Sequence, residues 1–149
     1  MRTVTAVIAA LLLSFAATHA FAFLDFLSGP KAVQAQGGDV RIPVSEVSDG
    51  KAHHFRFAGE GPELKFFLVS SGDRLRAAFD ACDVCYHAKK GYSQDKEFMI
   101  CNNCGMRFHA SRIGDVKGGC NPAPLRHRVE GGDVVISVAD LTEGAGFFK

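Results

Sequence analysis

The chain has 149 residues, 47% of them hydrophobic and 22% charged, with a formal net charge of +1. That length and balance describe one ordinary globular domain behind a leader, and they exclude a string of domains. No internal repeat stands out beyond a pair of cysteine turns.

Arg2 and the apolar run Val4–Ala17 open the chain, and small residues follow, with Thr18-His19-Ala20 and Ala20-Phe21-Ala22 both fitting a cleavage site. The run is shorter than the roughly 20 residues that cross a bilayer comfortably. Residues 1–22 are therefore predicted to be a secretory signal peptide, or else an uncleaved N-terminal anchor that ties the protein to the inner membrane. No cysteine lies near this site, which argues against a lipid anchor. Arg2 is not part of a twin-arginine pair, so the chain is expected to be exported unfolded, into the periplasm, and to take up any metal there.

Residues 23–38 form a poorly patterned connector, with turns at Gly29-Pro30 and Gly37-Gly38. The domain proper is predicted over 39–149. Val40, Ile42, Val44 and Val47 suggest a β segment, with Pro43 placing it at an edge. Strands are expected over His53–Ala58, Glu63–Ser70 and Arg74–Asp80, the last with Leu75, Ala77 and Phe79 on one face. It runs directly into Cys82. A short helical turn over Tyr86–Lys90 should end at Gly91. Phe98–Ile100 and Met106–Phe108 form the arms of a small hairpin. After a glycine- and proline-rich loop, Leu125–Glu130, Gly131-Gly132 and Asp133–Val138 carry a strong hairpin signal. The tail Asp140–Phe148 is a loose end that packs Leu141 and Phe147 onto the sheet. The expected fold is mainly β: a small antiparallel sheet with short helical turns, carrying a zinc-ribbon-like four-cysteine metal site.

That site rests on Cys82-Asp83-Val84-Cys85 and Cys101-Asn102-Asn103-Cys104, two Cys-x-x-Cys pairs fifteen residues apart. The spacing is that of a four-thiolate metal centre. Two residues between cysteines let a tight turn aim both sulfurs at one ion, about 2.3 Å away for zinc. Gly105 suits such a turn. Cys82, Cys85, Cys101 and Cys104 are thus the predicted metal ligands. The competing chemistries are thiol–disulfide exchange by either pair, and two local disulfides, which would close tiny rings and staple almost nothing. Covalent haem is excluded, because Tyr86 and Gly105 stand where histidine is required. Soft thiolates suit an iron–sulfur cluster, mononuclear iron or zinc, and the last would make the chain a structural-zinc interaction module. Cys120, in Gly-Gly-Cys-Asn-Pro, is either a fifth ligand or supporting member of this site, or a buried free thiol.

Between Cys82 and Arg128 stand eight basic residues (Lys89, Lys90, Lys96, Arg107, Arg112, Lys117, Arg126, Arg128) against Asp83, Asp95, Glu97 and Asp115. Such a rim offsets the negative charge of a metal–thiolate centre and offers a docking surface to an acidic redox partner. A solvated basic face is the plainer explanation. Nucleic-acid binding is the third, and export argues against it. His53 and His54 are neighbours in a strand and point to opposite faces, so at most one joins any site. His87, His109 and His127 read as surface histidines.

Phe79-Asp80-Ala81-Cys82-Asp83-Val84-Cys85-Tyr86, Lys89-Lys90-Gly91-Tyr92, Cys101-Asn102-Asn103-Cys104-Gly105, Ile113-Gly114 and Gly118-Gly119-Cys120-Asn121-Pro122 together resemble the membrane iron–sulfur FtrD-like family. The resemblance runs from about Val40 to Phe148. It implies a metal or iron–sulfur role for Cys82, Cys85, Cys101 and Cys104, with Cys120 in the motif. It also implies association with a bacterial inner-membrane iron permease, where a redox component handles electrons for ferrous/ferric conversion. The membrane members also have a multi-span helical part, and only their soluble domain is expected in these 149 residues. The expectation is therefore an exported metal-binding accessory of iron transport and electron transfer, with no catalytic residue assigned.

Overall fold

In the computed structural model, which describes residues 29–149, the central element is the strand Leu64–Ser71 (β5). Its sequence Leu-Lys-Phe-Phe-Leu-Val is apolar on both faces of the pleat, as a strand buried on both sides must be. Leu64, Phe66 and Leu68 face one hydrophobic cluster, and Phe67 and Val69 face another. Burying one such phenylalanine contributes about 1.5–3 kcal/mol. The predicted leader, residues 1–22, lies outside the described residues, as do residues 23–28 of the connector.

Three small sheets surround this strand. Numbered in chain order, β1 is Lys31–Val33, β2 Ala35–Gln36, β3 Asp39–Pro43, β4 Ala52–Phe57 and β6 Arg74–Phe79. The first sheet has the order β1-β4-β5-β6, antiparallel except that β1 runs parallel to β4. β10 (Arg128–Glu130) and β11 (Asp133–Ser137) make the predicted hairpin, and the second sheet runs β10-β11-β3-β2. Val40, Ile42, Val134 and Ile136 from this sheet pack with Phe55, Phe66 and Leu68 from the first. The third sheet, β7 (Tyr92–Asp95), β8 (Phe98–Cys101) and β9 (Arg107–His109), covers the opposite face of β5.

The mainly β class is as expected, and so are β4, β5, β6 and both hairpins. Several local features differ, among them β7, which the sequence pattern did not mark. Lys31–Val33 and Ala35–Gln36, in the stretch read as connector, are strands paired into two different sheets. β3 is an interior strand rather than an edge. Pro43 is tolerated because β2 pairs only with Val40 and Asp39 and leaves that end of β3 open on one side. Val44–Val47 turns into a one-turn helix (α1) instead of continuing the strand. The tail is ordered: Val138–Glu143 is a helix (α2), with Ser137 capping it by accepting from the Asp140 amide at 3.0 Å. Leu141 is fully buried, and Phe147 lies 6.1 Å from Phe79, ring to ring, as the packing expectation required.

Candidate metal centre

β6 carries the chain into the first cysteine turn. There the Tyr86 amide donates to the Cys82 carbonyl at 3.2 Å, and the Cys85 amide donates to the Cys82 sulfur at 3.2 Å. The predicted helical turn is a 3-10 turn over Tyr86–Ala88. The second cysteine turn sits at the tip of the β8–β9 hairpin. Gly105, at φ +74°, lets its amide donate back to the Cys101 carbonyl at 2.8 Å.

The two turns are tied together by Asp80 and β7. Asp80 Oδ1 accepts the Tyr92 amide at 2.7 Å. The Gly91 carbonyl accepts the Asn102 amide, and the Asn102 side chain donates to the Lys90 carbonyl, both at 3.0 Å. Gly91 has φ +62°, and a Cβ there would stand 2.6 Å from the Asp80 carboxyl carbon. Gly91→Ala should therefore cost about 1–3 kcal/mol through backbone strain and displacement of the carboxylate. A urea titration of the metal-free protein measures this, and an unchanged midpoint would show that Asp80 does not clamp the turns.

Cys120 arrives by a route of its own. Residues 121–125 run antiparallel beside β6: the Phe79 amide donates to the Ala123 carbonyl at 2.8 Å, and the Ala123 amide to the Ala81 carbonyl at 2.9 Å. A bridge between Ala78 and Pro124 continues the pairing. Cys120 is thereby set opposite the Cys82 end of β6. The buried Tyr92 locks it, donating its hydroxyl to the Cys120 carbonyl at 2.7 Å.

All five cysteines are free thiols, so neither local disulfide forms. Their sulfurs fall into two sets. Cys82, Cys85 and Cys101 lie within 4.8 Å of one another, and so do Cys85, Cys104 and Cys120. Cys85 belongs to both sets, and its sulfur is 3.9 Å from that of Cys120. The predicted tetrad of Cys82, Cys85, Cys101 and Cys104 does not gather as one such set, so the zinc-ribbon-like arrangement is not what the geometry displays. His53 bonds Asp49 and His54 lies beside Asp80 and Phe67, on opposite faces of β4 as expected. His87 stacks on Tyr86, His109 caps a turn through Ser111, and His127 contacts the Leu125 and Leu75 carbonyls.

The thiols differ electrostatically. Burial pushes Cys82 up, but the Tyr92 hydroxyl and the amides of Cys85 and Val84 more than offset this and leave it below its ordinary value. Burial pushes Cys101 up to about 11, against the opposing amides of Cys104 and Asn103. Cys120 is raised to about 12, first by its hydrogen bond with Cys104 and then by burial. Cys104, fully exposed, is lowered to about 7, first by the Met106 amide and then by the Cys101 thiol. Burial raises the Tyr92 phenol well above its usual range and keeps it a neutral donor. In the metal-free protein Cys104 should thus be the first thiol alkylated, with its rate rising through pH 7 as the thiolate forms. Peptide mapping after brief iodoacetamide treatment checks this. Prior labelling of Cys101 or Cys120 would overturn it.

Below the sulfurs lie Phe67, Val69, Met99, Ala110 and Ile113, an apolar floor that keeps water from the buried set. Beside them a cavity of about 440 Å³ is lined by Cys82, Cys85 and Cys101, together with Lys65, Lys89 and Lys90. The basic rim is narrower than its sequence suggests. Arg107 is paired with Asp95, Arg126 with Asp140 and Glu143, and Arg128 with Asp39 and Glu130. Asp80 and Tyr92 are the site residues whose roles the spacing of cysteines did not disclose. A tyrosine next to a glycine, between two cysteine pairs, was the available signal.

Five sulfur donors on a small β domain define a cysteine cluster able to hold metal, with the soft ligand set that iron or zinc accepts. The family described as membrane iron-sulfur containing protein FtrD-like matches residues 47–148, and the chain belongs to it. Comparison with curated proteins and with solved structures returned no match. The family is by its description a membrane one, while among the described residues no helix is long and apolar enough to cross a bilayer.

Proposed function

We propose that this is an exported, periplasmic metal–thiolate protein, its cluster holding iron as an iron–sulfur cluster or as iron alone. It would serve bacterial iron uptake as a redox or metal-handling accessory beside an inner-membrane permease. The observation that carries this reading is the convergence of five free thiols over an apolar floor. Family membership favours iron over zinc. Bound iron supplies one-electron chemistry. The chain's own part is to hold the sulfurs, exclude water through Phe67, Val69 and Met99, and offset negative charge with Lys65, Lys89 and Lys90. The same lysines form the docking edge for an acidic partner. Residues 1–22 act as export signal or membrane tether.

Elemental analysis and a visible spectrum of the protein from the exported fraction test this. Stoichiometric iron with sulfur-to-iron absorption that bleaches on reduction is the expected result. A colourless, redox-silent zinc protein would make the cluster structural. One observation favours a second reading: exposed Cys104, held down to about 7, stands three residues after Cys101 at about 11, a pairing suited to thiol–disulfide exchange. That reading requires a protein without stoichiometric metal that reduces a model disulfide.

A further inference from the structure

We propose that the cluster is a two-ion site in which the Cys85 thiolate is shared, one divalent transition-metal ion lying with Cys82 and Cys101 and a second with Cys104 and Cys120. This rests on the metal-binding reading above and specifies how many ions the site takes and which sulfur joins them.

Three observations carry it. The first is spatial. A tetrahedral ion with sulfur about 2.3 Å away separates its ligand sulfurs by roughly 3.8 Å. The Cys85–Cys120 separation of 3.9 Å is such an edge, and it lies outside the two Cys-x-x-Cys pairs. Five sulfurs exceed what one tetrahedral ion accepts, yet none is a bystander, since each belongs to a set closed to within 4.8 Å. Cys85 alone belongs to both.

The second is charge. One divalent ion among five thiolates leaves the site at minus three, whereas two ions leave it at minus one. Cys82 and Cys101 are buried, where an excess charge is costly. Lys65, Lys89 and Lys90 line the neighbouring cavity, but Lys89 and Lys90 are exposed and screened by solvent. A second cation compensates the sulfurs far more directly.

The third is access. The set of Cys82, Cys85 and Cys101 has two buried members and opens on the cavity, while Cys104 is exposed and Cys120 half-buried. The two positions are therefore unlike. The ion at Cys104 and Cys120 should leave first to a chelator, and the ion at Cys82 and Cys101 later.

Anaerobic titration of the reduced, metal-free, untagged full chain with cobalt(II) tests the proposal. Sulfur-to-cobalt absorption should break at two equivalents, and the magnetic moment per cobalt should fall between the first and the second as the ions couple through a common sulfur. Cys104→Ser, at an exposed position where the circular dichroism should stay unchanged, should move the break to one equivalent. A wild-type break at one equivalent overturns the two-ion site and leaves the metal protein standing. Two equivalents with an unchanged moment overturn the sharing of Cys85, and two equivalents in Cys104→Ser overturn the assignment of the second set. No cobalt bound at all removes the metal-binding reading itself.

Discussion

Cys85→Ser abolishes metal retention and lowers the melting temperature of the loaded protein by about 15 °C, the largest effect expected of any single substitution. Cys85 is the one sulfur common to both thiol sets, so its loss leaves each with two members. Serine is a poor ligand for soft metals. A ligand present at a thousandfold excess over its dissociation constant stabilises the folded state by about 4 kcal/mol. That amount corresponds to a shift on the order of 15 °C for a domain of this size. The metal-free forms provide the control. Without metal, wild type and variant should melt within a few degrees of each other, because Cys85 is only half-buried and its backbone amide still reaches Cys82. Elemental analysis with paired melting curves decides the matter, and a variant that keeps its metal and its melting temperature would show that the sulfurs do not act as a metal centre.

Phe67→Ala should cost about 3–5 kcal/mol, the range for emptying a fully buried phenylalanine site. Phe67 is inaccessible to solvent at the middle of β5, in the cluster beneath the thiols. Its ring lies 6.1 Å from that of Tyr92 and 5.6 Å from that of His54. The cavity left behind would free Tyr92, and with it the hydroxyl that fixes the Cys120 carbonyl. Chemical unfolding of the metal-free variant gives the stability loss. The chain has no tryptophan and two tyrosines, Tyr86 and Tyr92, so tyrosine emission reports directly on the disturbance. Val129→Ala, at an exposed strand position, should stay within about 0.5 kcal/mol and serves as the reference. A comparably small effect at Phe67 would mean that the floor of the site is not tightly packed.

The parts of the fold that could be read from the sequence are those specified by local pattern. Phe66 and Leu68 against Phe67 and Val69 mark a strand buried on both faces, and Gly131-Gly132 between apolar alternations marks a hairpin. Tyr92–Asp95 has no such pattern. Its Ser93, Gln94 and Asp95 are polar, and it is a strand because Asp80 and the Cys101 arm hold it there. Lys31–Val33 likewise owes its strand conformation to β4, not to its own residues. The tail helix carries a legible cap in Ser137 and Asp140. At the site, the spacing marked Cys82, Cys85, Cys101 and Cys104 as sulfur donors, of which Cys82, Cys85 and Cys101 share one set and Cys104 falls in the other. Their division into two sets was hidden, because it depends on Cys120, and Cys120 is placed by hydrogen bonds between Phe79, Ala81 and Ala123 that no local rule anticipates.

Those same hydrogen bonds give the cluster a place in the order of assembly. The turn of Cys82 and Cys85 and the hairpin of Cys101 and Cys104 are built from near neighbours. The segment that delivers Cys120 must instead close a long loop back onto β6 before its sulfur is in reach. A chain in which that segment has not yet docked lacks the third member of the set Cys85, Cys104 and Cys120. The set of Cys85, Cys104 and Cys120 is therefore completed last, after that of Cys82, Cys85 and Cys101, which needs only the two cysteine turns.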